Sequence, residues 1–263
     1  MTHAATRAEP PTRASPATLQ LSDVSVAYRT RGADIHALHH ASVTIGAGEF
    51  VSILGPSGCG KSTLLKVAAG LLQPTHGTVE LRSADTSHAD VGVAFQKPLL
   101  LPWKSVRENV LLPVRAAGLP LERYQPRCDQ LLEMMGLAAF AENYPRELSG
   151  GMQQRVGLAR MLVTDPSVLL MDEPFSALDA MTREALSLEL QRIWMTDRKS
   201  VLFITHSIPE AVFLSDRVLV MSERPGQIVE SLDIDLPRPR ALDTMIAPAF
   251  VDACNHLRQR FIQ

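Results

Sequence analysis

No stretch of this chain approaches the roughly twenty consecutive apolar residues that crossing a bilayer takes. Any work at a membrane therefore has to go through a partner that spans it. Cysteine is scarce: Cys59, Cys128 and Cys254 are the three among 263 residues. Their odd number and wide spacing argue against a disulfide framework or a zinc site and suit a reducing compartment. Neither sign of charge is in marked excess. A formal net charge of −2 gives no overall attraction to nucleic acid or anionic lipid, so partners must be sought in motifs. The interval from Lys61 to Ser149 holds no sustained heptads, which leaves no place for a long coiled coil. Residues 1–18, with Arg7, Glu9, Pro10, Pro11, Arg13 and Pro16, contain no hydrophobic signal region. They read as a disordered leader, and the protein is expected to stay in the cytoplasm.

What is present suffices for a large core, since hydrophobic residues make up 46% of the chain and charged residues 21%. The clearest stretch is Gly55-Pro56-Ser57-Gly58-Cys59-Gly60-Lys61-Ser62. It lies between the apolar run Phe50-Val51-Ser52-Ile53-Leu54 and the helical pattern Thr63 to Ala69. This is the phosphate-loop pattern G-x-x-x-x-G-K-[ST], and the flanking strand and helix are the context it needs. Small residues let successive backbone N–H groups turn inward, and the helix N-terminus adds favourable partial charge. Lys61 is expected to reach the β- and γ-phosphates, and Ser62 to place its hydroxyl on Mg²⁺. Cys59 has two readings: a thiol activated by its neighbours, or a small residue that fits the loop.

Upstream, Leu19 to Tyr28 partly alternates as a half-buried strand does, with Asp23 hinting at a bulge. His36–Leu38 and Val43–Ile45 continue as strand, and together these segments suit a small antiparallel layer. Tyr28 is either a structural aromatic on a strand face or a stacking partner for an adenine ring. Downstream, Gln96 ends the strand Val91–Phe95, at the sheet edge where ligands bind in open α/β folds. From Leu99 to Glu147 the pattern is helices broken by Pro102, Pro113, Pro120, Pro126 and Pro145.

Leu148-Ser149-Gly150-Gly151 then opens another helix, with a capping serine and free N–H donors that make a second anion site. One loop already cradles a nucleotide, so this site makes most sense closing on nucleotide held by another subunit. The apolar strand Val168–Met171 delivers Asp172 and Glu173 at its carboxyl end. Asp172 suits the Mg²⁺ water shell, and Glu173 suits orienting or deprotonating the attacking water. After Ser176-Ala177-Leu178-Asp179 comes a long amphipathic helix. Val201–Ile204 then brings Thr205 and His206 to the same edge, where the histidine is expected to contact a γ-phosphate. Val218–Met221 and Gln227–Glu230 read as a closing strand pair, Pro237-Arg238-Pro239-Arg240 as an extended exit, and about 250–261 as a final helix.

The ordered set of phosphate loop, Gln96, Leu148-Ser149-Gly150-Gly151, Asp172-Glu173 and His206 resembles the nucleotide-binding subunit of ATP-binding cassette (ABC) transporters. The resemblance spans Leu19 to Arg240. It implies an α/β fold of the P-loop NTPase type: a mostly parallel core sheet, a small antiparallel β layer and a helical subdomain inserted at about 97–160. Residues 19–240 would form one ABC ATPase domain, and 241–263 a helical extension. By that likeness the site holds ATP and Mg²⁺. Gly55 to Thr63 belong to Walker A, Gln96 to the Q-loop, Ser149, Gly150 and Gly151 to the signature, and Asp172 to Walker B. Ser62, Gln96 and Asp172 would serve the metal. Glu173 matches the catalytic base, His206 the switch histidine, Asp179 the D-loop and Tyr28 the adenine-stacking aromatic. Met152 stands where the commonest signature has glutamine.

A narrower likeness is to importers of nitrate, sulfonates, taurine and related solutes, including pyrimidine precursors. It rests on Gln96 to Trp103, Val106 to Val110, Arg224-Pro225-Gly226 and Pro237 to Arg240. It implies a second copy of the chain, transmembrane permease subunits and a solute-binding protein as partners, with no nucleic acid. The chain would sit in the cytoplasm against the inner face of the membrane. Pro102-Trp103 would form part of the permease docking surface, or else Trp103 belongs to the subdomain core. A soluble ABC ATPase outside transport and an exporter subunit are the alternative readings.

Overall fold

The structure, a computed structural model, describes residues 17–29, 33–82 and 91–262. Of the leader expected at 1–18, residues 1–16 lie outside them, as does the segment 83–90, whose polar sequence reads as a surface loop; Ala17 and Thr18 belong instead to the first strand. Alternation along β1 (Ala17–Arg29) buries Leu19, Leu21, Val24 and Val26. Its register breaks at Asp23, whose φ of 55° marks the bulge that the sequence hints at. β1 is the centre of a three-stranded antiparallel sheet between β2 (Asp34–Gly46) and β4 (His76–Leu81).

The other sheet has six strands in the order β5-β6-β7-β3-β8-β9, given β3 (Phe50–Leu54), β5 (Val91–Ala94), β6 (Val168–Asp172), β7 (Ser200–Ile204), β8 (Arg217–Met221) and β9 (Ile228–Asp233). All pairings are parallel except β8 with β9. Three of the four inner strands, β3, β6 and β7, are buried at every residue, because both faces of the sheet are covered. Period-two alternation divides their side chains. Val51 and Ile53 join the core under the antiparallel sheet and α1 (Lys61–Ala68), whereas Phe50 and Leu54 join the larger core on the opposite face.

Between β5 and β6 lie α2 (Val106–Val110), α3 (Leu112–Ala116), α4 (Leu121–Met134) and α5 (Gly150–Leu162). Pro126 does not break its helix, contrary to the expectation from sequence; α4 runs through it. The proline costs one N–H and frees the Glu122 carbonyl, but both residues are exposed, so water can satisfy that group. α6 (Ala180–Asp197), α7 (Ile208–Leu214) and α8 (Pro248–Ile262) complete the chain. The segment Pro237 to Arg240 is more than an exit. The buried Arg240 guanidinium donates to the carbonyls of Val212, Phe213 and Ser215 at the end of α7, and to those of Ile234 and Leu236.

Candidate active site

The carboxyl ends of β3, β5, β6 and β7 meet at one edge of the six-stranded sheet, and the phosphate loop leaves β3 there. Gly58 and Gly60 carry φ values of 76° and 113°, which a side chain would strain. A Cβ on Gly60 would also stand 2.6 Å from the Ala37 carbonyl oxygen. Lys61 is nearly buried, and its Nζ donates to the carbonyls of Gly55 and Pro56, at 2.8 Å each. Cys59 is buried, which suits the packing reading of that residue, and Lys61 Nζ donates to its Sγ at 3.9 Å.

An open cleft of about 320 Å³ lies over the loop. Of the residues singled out by sequence, Tyr28, Ser57, Gly58, Gly60, Lys61, Ser62, Thr63, Gln96 and Glu173 line it. Tyr28 is 39% exposed, and its hydroxyl and that of Thr63 share a hydrogen bond of 3.3 Å. An aromatic face at one end of a phosphate cradle suits a ring-bearing nucleotide.

β6 presents Asp172 in a buried position, hydrogen-bonded to the Ser62 hydroxyl. Burial pushes its carboxyl above the ordinary aspartate range; the Ser62 bond and Lys61 pull the other way without cancelling it. A hydroxyl and a buried carboxylate, both oxygen donors, fit a hard cation such as Mg²⁺. Its charge would also relieve the desolvation that Asp172 suffers. The next residue, Glu173, has a left-handed backbone with φ of 47°, held by its N–H on the Ile204 carbonyl at 2.9 Å. Such a conformation carries strain of about 1–2 kcal/mol. It aims the carboxylate along the edge, where Oε2 accepts from Gln96 Nε2 at 3.2 Å and lies 3.2 Å from His206 Nδ1.

Ser149, Gly150, Gly151 and Asp179 do not line the cleft. Ser149 caps α5 by accepting from the Met152 N–H at 3.3 Å. A Cβ on Gly151 would lie 3.3 Å from Leu178, which places the α5 N-terminus beside the turn ending at Asp179. Asp179 caps α6 through the Thr182 hydroxyl and N–H, and these bonds, the hydroxyl first, hold its carboxyl below the usual range. Gly55 and Pro56 lie behind the cleft and serve through their carbonyls.

Ile35, Ala37 and Arg224 line the cleft without having been named as site residues from the sequence. Arg224 comes from the turn between β8 and β9, and its Nε and Nη2 donate to the Gly58 carbonyl at 3.2 and 3.1 Å. That turn is stitched to β2 by Gly226, which donates to the Ala37 carbonyl and accepts from the His39 N–H. A Cβ at Gly226 would stand 2.2 Å from the Cys59 oxygen, so only glycine fits. The Arg-Pro-Gly run is visible as a turn in the sequence, but its contact with a loop 166 residues away is not.

A protein-family model described as ABC transporter matches residues 38–176. Among similar proteins, the taurine import ATP-binding protein TauB of Rhizobium johnstonii is 50% identical over 223 residues, 84% of this chain and 85% of that protein. An ABC transporter ATP-binding protein of Methanocaldococcus jannaschii is 45% identical over 224 residues, 84% of each chain. A bacterial ABC transporter cassette solved as a dimer superposes with a TM-score of 0.76 at 33% identity, covering 83% of this chain and all of that one. A post-hydrolysis form of a dimeric cassette, bound to ADP and Pi, gives 0.75 at the same identity and coverage.

Proposed function

The chain belongs to the ABC transporter family and is one of its ATPases, and from that premise we propose that it powers the import of a small solute. The solute class we favour is taurine or another sulfonate, with nitrate or a pyrimidine precursor as related candidates; relatives named for taurine import, about half identical over most of both chains, support it. The observation that carries the catalytic part is the convergence of Gln96 and His206 on Glu173 Oε2 at the rim of the phosphate cradle.

In this reading Tyr28 stacks on the adenine ring, and the loop N–H groups with Lys61 hold the phosphates. Lys61 exchanges its bonds to Gly55 and Pro56 for phosphate oxygens. Ser62 and Asp172, with Gln96, would hold Mg²⁺, which would supply neutralisation of the phosphate charge. Glu173 orients the attacking water and takes its proton, and His206 donates to the γ-phosphate. Ser149, Gly150 and Gly151 lie outside their own cleft, which supports their serving ATP bound by a second copy, with Asp179 at the shared boundary. ATP then favours the paired state to the extent that it binds that state better.

No helix among the described residues is long and apolar enough to cross a membrane. We therefore assign membrane attachment to permease subunits, on the cytoplasmic side, with a solute-binding protein delivering cargo. The helical stretch at about 97–160 is the lobe that meets the permease, and 241–263 is an extension of the 19–240 domain. Trp103 is 68% exposed and Leu99 61%. The segment carrying them is anchored by buried Asn109, whose side chain bonds the backbone of Leu101, Lys104 and Ser105. An exposed tryptophan on a pinned loop suits an interface anchor. The test is light scattering of Glu173→Gln with and without ATP. A nucleotide-dependent dimer supports the composite site, and a monomer that binds ATP without pairing counts against it.

A further inference from the structure

The turn ending at Asp179 and the segment that carries His206 are joined by an ion pair whose acidic partner is buried. Arg183, in the first turn of α6, donates from Nη2 to the Leu178 carbonyl at 3.1 Å, one residue before the Asp179 cap. Its Nε stands 3.3 Å from Glu210 Oε1 as an ion pair, off the line of a hydrogen bond. Glu210 lies in the first turn of α7, and its side chain is only 10% exposed. Its Oε2 accepts from the Thr205 hydroxyl at 2.6 Å. Thr205 Oγ1 in turn accepts from the Ser207 N–H at 3.0 Å, and Ser207 Oγ accepts from the Glu210 N–H at 3.4 Å. The residues on both sides of His206 are therefore fixed to Glu210, while His206 itself reaches Glu173.

An ion pair between two helices ordinarily serves only to dock them. Glu210 is buried and Arg183 only partly so; desolvation of the acid offsets much of the attraction, yet removing the arginine leaves the buried carboxylate unpaired. Here both ends of the pair attach to functional turns: Arg183 to the carbonyl before Asp179, Glu210 to the hydroxyl before His206. Displacement of either turn must carry the other along or strand the Glu210 charge. We propose that Arg183 and Glu210 are a positioning pair that couples the turn ending at Asp179 to His206, so that contact with a second copy sets the histidine for hydrolysis. This rests on the reading above, in which Asp179 faces the partner and His206 faces the γ-phosphate.

The test uses the full chain with ATP and Mg²⁺, measuring kcat, KM and, separately, ATP affinity of the unpaired protein. Arg183→Met and Glu210→Gln are each expected to lower kcat about tenfold with ATP affinity within about twofold of wild type. The double variant should be no slower than the slower single, because the residues act as one unit. Arg183→Lys should recover most of the lost kcat, since an ammonium retains the charge beside Glu210. Unchanged kcat in the single variants, multiplying losses in the double, or ATP affinity falling together with kcat would overturn the coupling. His206→Ala and Asp179→Ala keep the two ideas apart. If they leave turnover intact, the parent reading fails; if they abolish it while Arg183→Met does not, the positioning pair alone fails.

Discussion

Gln96 donates from Nε2 to Glu173 Oε2 across 3.2 Å, so the ends of β5 and β6 meet on a single carboxylate oxygen. His206, from beyond β7, stands at the same distance from that oxygen. Three strands of a parallel sheet thus deliver one amide, one acid and one imidazole to the place where the strands point. A carboxylate flanked by two polar groups keeps one orientation, which a base needs before its proton affinity matters.

Replacing that acid is the sharpest check on its role. Glu173→Gln keeps the size and the contact with Gln96 but removes the proton acceptor. The expected loss in kcat is about 10²–10⁴-fold, the usual contribution of a positioned general base. ATP affinity should stay within a few-fold. Phosphate release and nucleotide titration on one preparation read both quantities, and rapid turnover would remove Glu173 as the base.

Lys61→Ala tests the cradle. The ammonium already has two carbonyl partners at 2.8 Å, so phosphate must win it from Gly55 and Pro56. Charge-assisted bonds of this kind are worth about 2 kcal/mol net, or ~30-fold in affinity. Calorimetric titration with ATP should show a loss of that size, and equal affinities would contradict the assignment.

The two sheets and the line of motifs at the strand ends were legible because they depend on local pattern. Uniformly apolar runs read as strands covered on both faces, and glycine spacing read as a loop. What stayed hidden depends on distant pairing. Arg224 meets Gly58 and Arg183 meets Glu210 only through tertiary structure, and a charged residue on a helix or turn does not announce its partner. Arg240 misled for the same reason: in sequence it follows two prolines in an extended run, whereas in the fold its guanidinium collects five backbone carbonyls. Pro126 looked like a helix end, yet it falls where the orphaned carbonyl is open to water.

Asp172 makes a pH signature. Burial raises its carboxyl pKa above the ordinary 3.8, so the folded chain holds that proton more tightly than the unfolded one. Its stabilising contribution is complete below the ordinary value and is lost as pH rises through the folded value. Asp172→Asn removes this loss. The Tm of the nucleotide-free variant minus that of wild type should therefore grow as pH rises from about 4 towards neutrality and then level. A difference that shrinks over this window would mean that the buried carboxylate is stabilised, not penalised.

Trp103 decides whether the exposed segment after Gln96 serves the cleft or a partner. At 68% exposure it has little core to lose, so Trp103→Ala should change stability by no more than about 0.5 kcal/mol. ATP affinity and basal turnover should be unaltered, since Trp103 does not line the cleft. Asn109→Ala is the informative contrast. It removes the buried amide that holds the backbone of Leu101, Lys104 and Ser105, and the polar groups it leaves unpaired should cost about 1–3 kcal/mol. If the segment is a docking surface, both variants lower co-purification with the permease, and only Asn109→Ala lowers Tm. Transport at the wild-type rate by Trp103→Ala would instead mean that a pinned, solvent-facing tryptophan here contributes nothing to assembly.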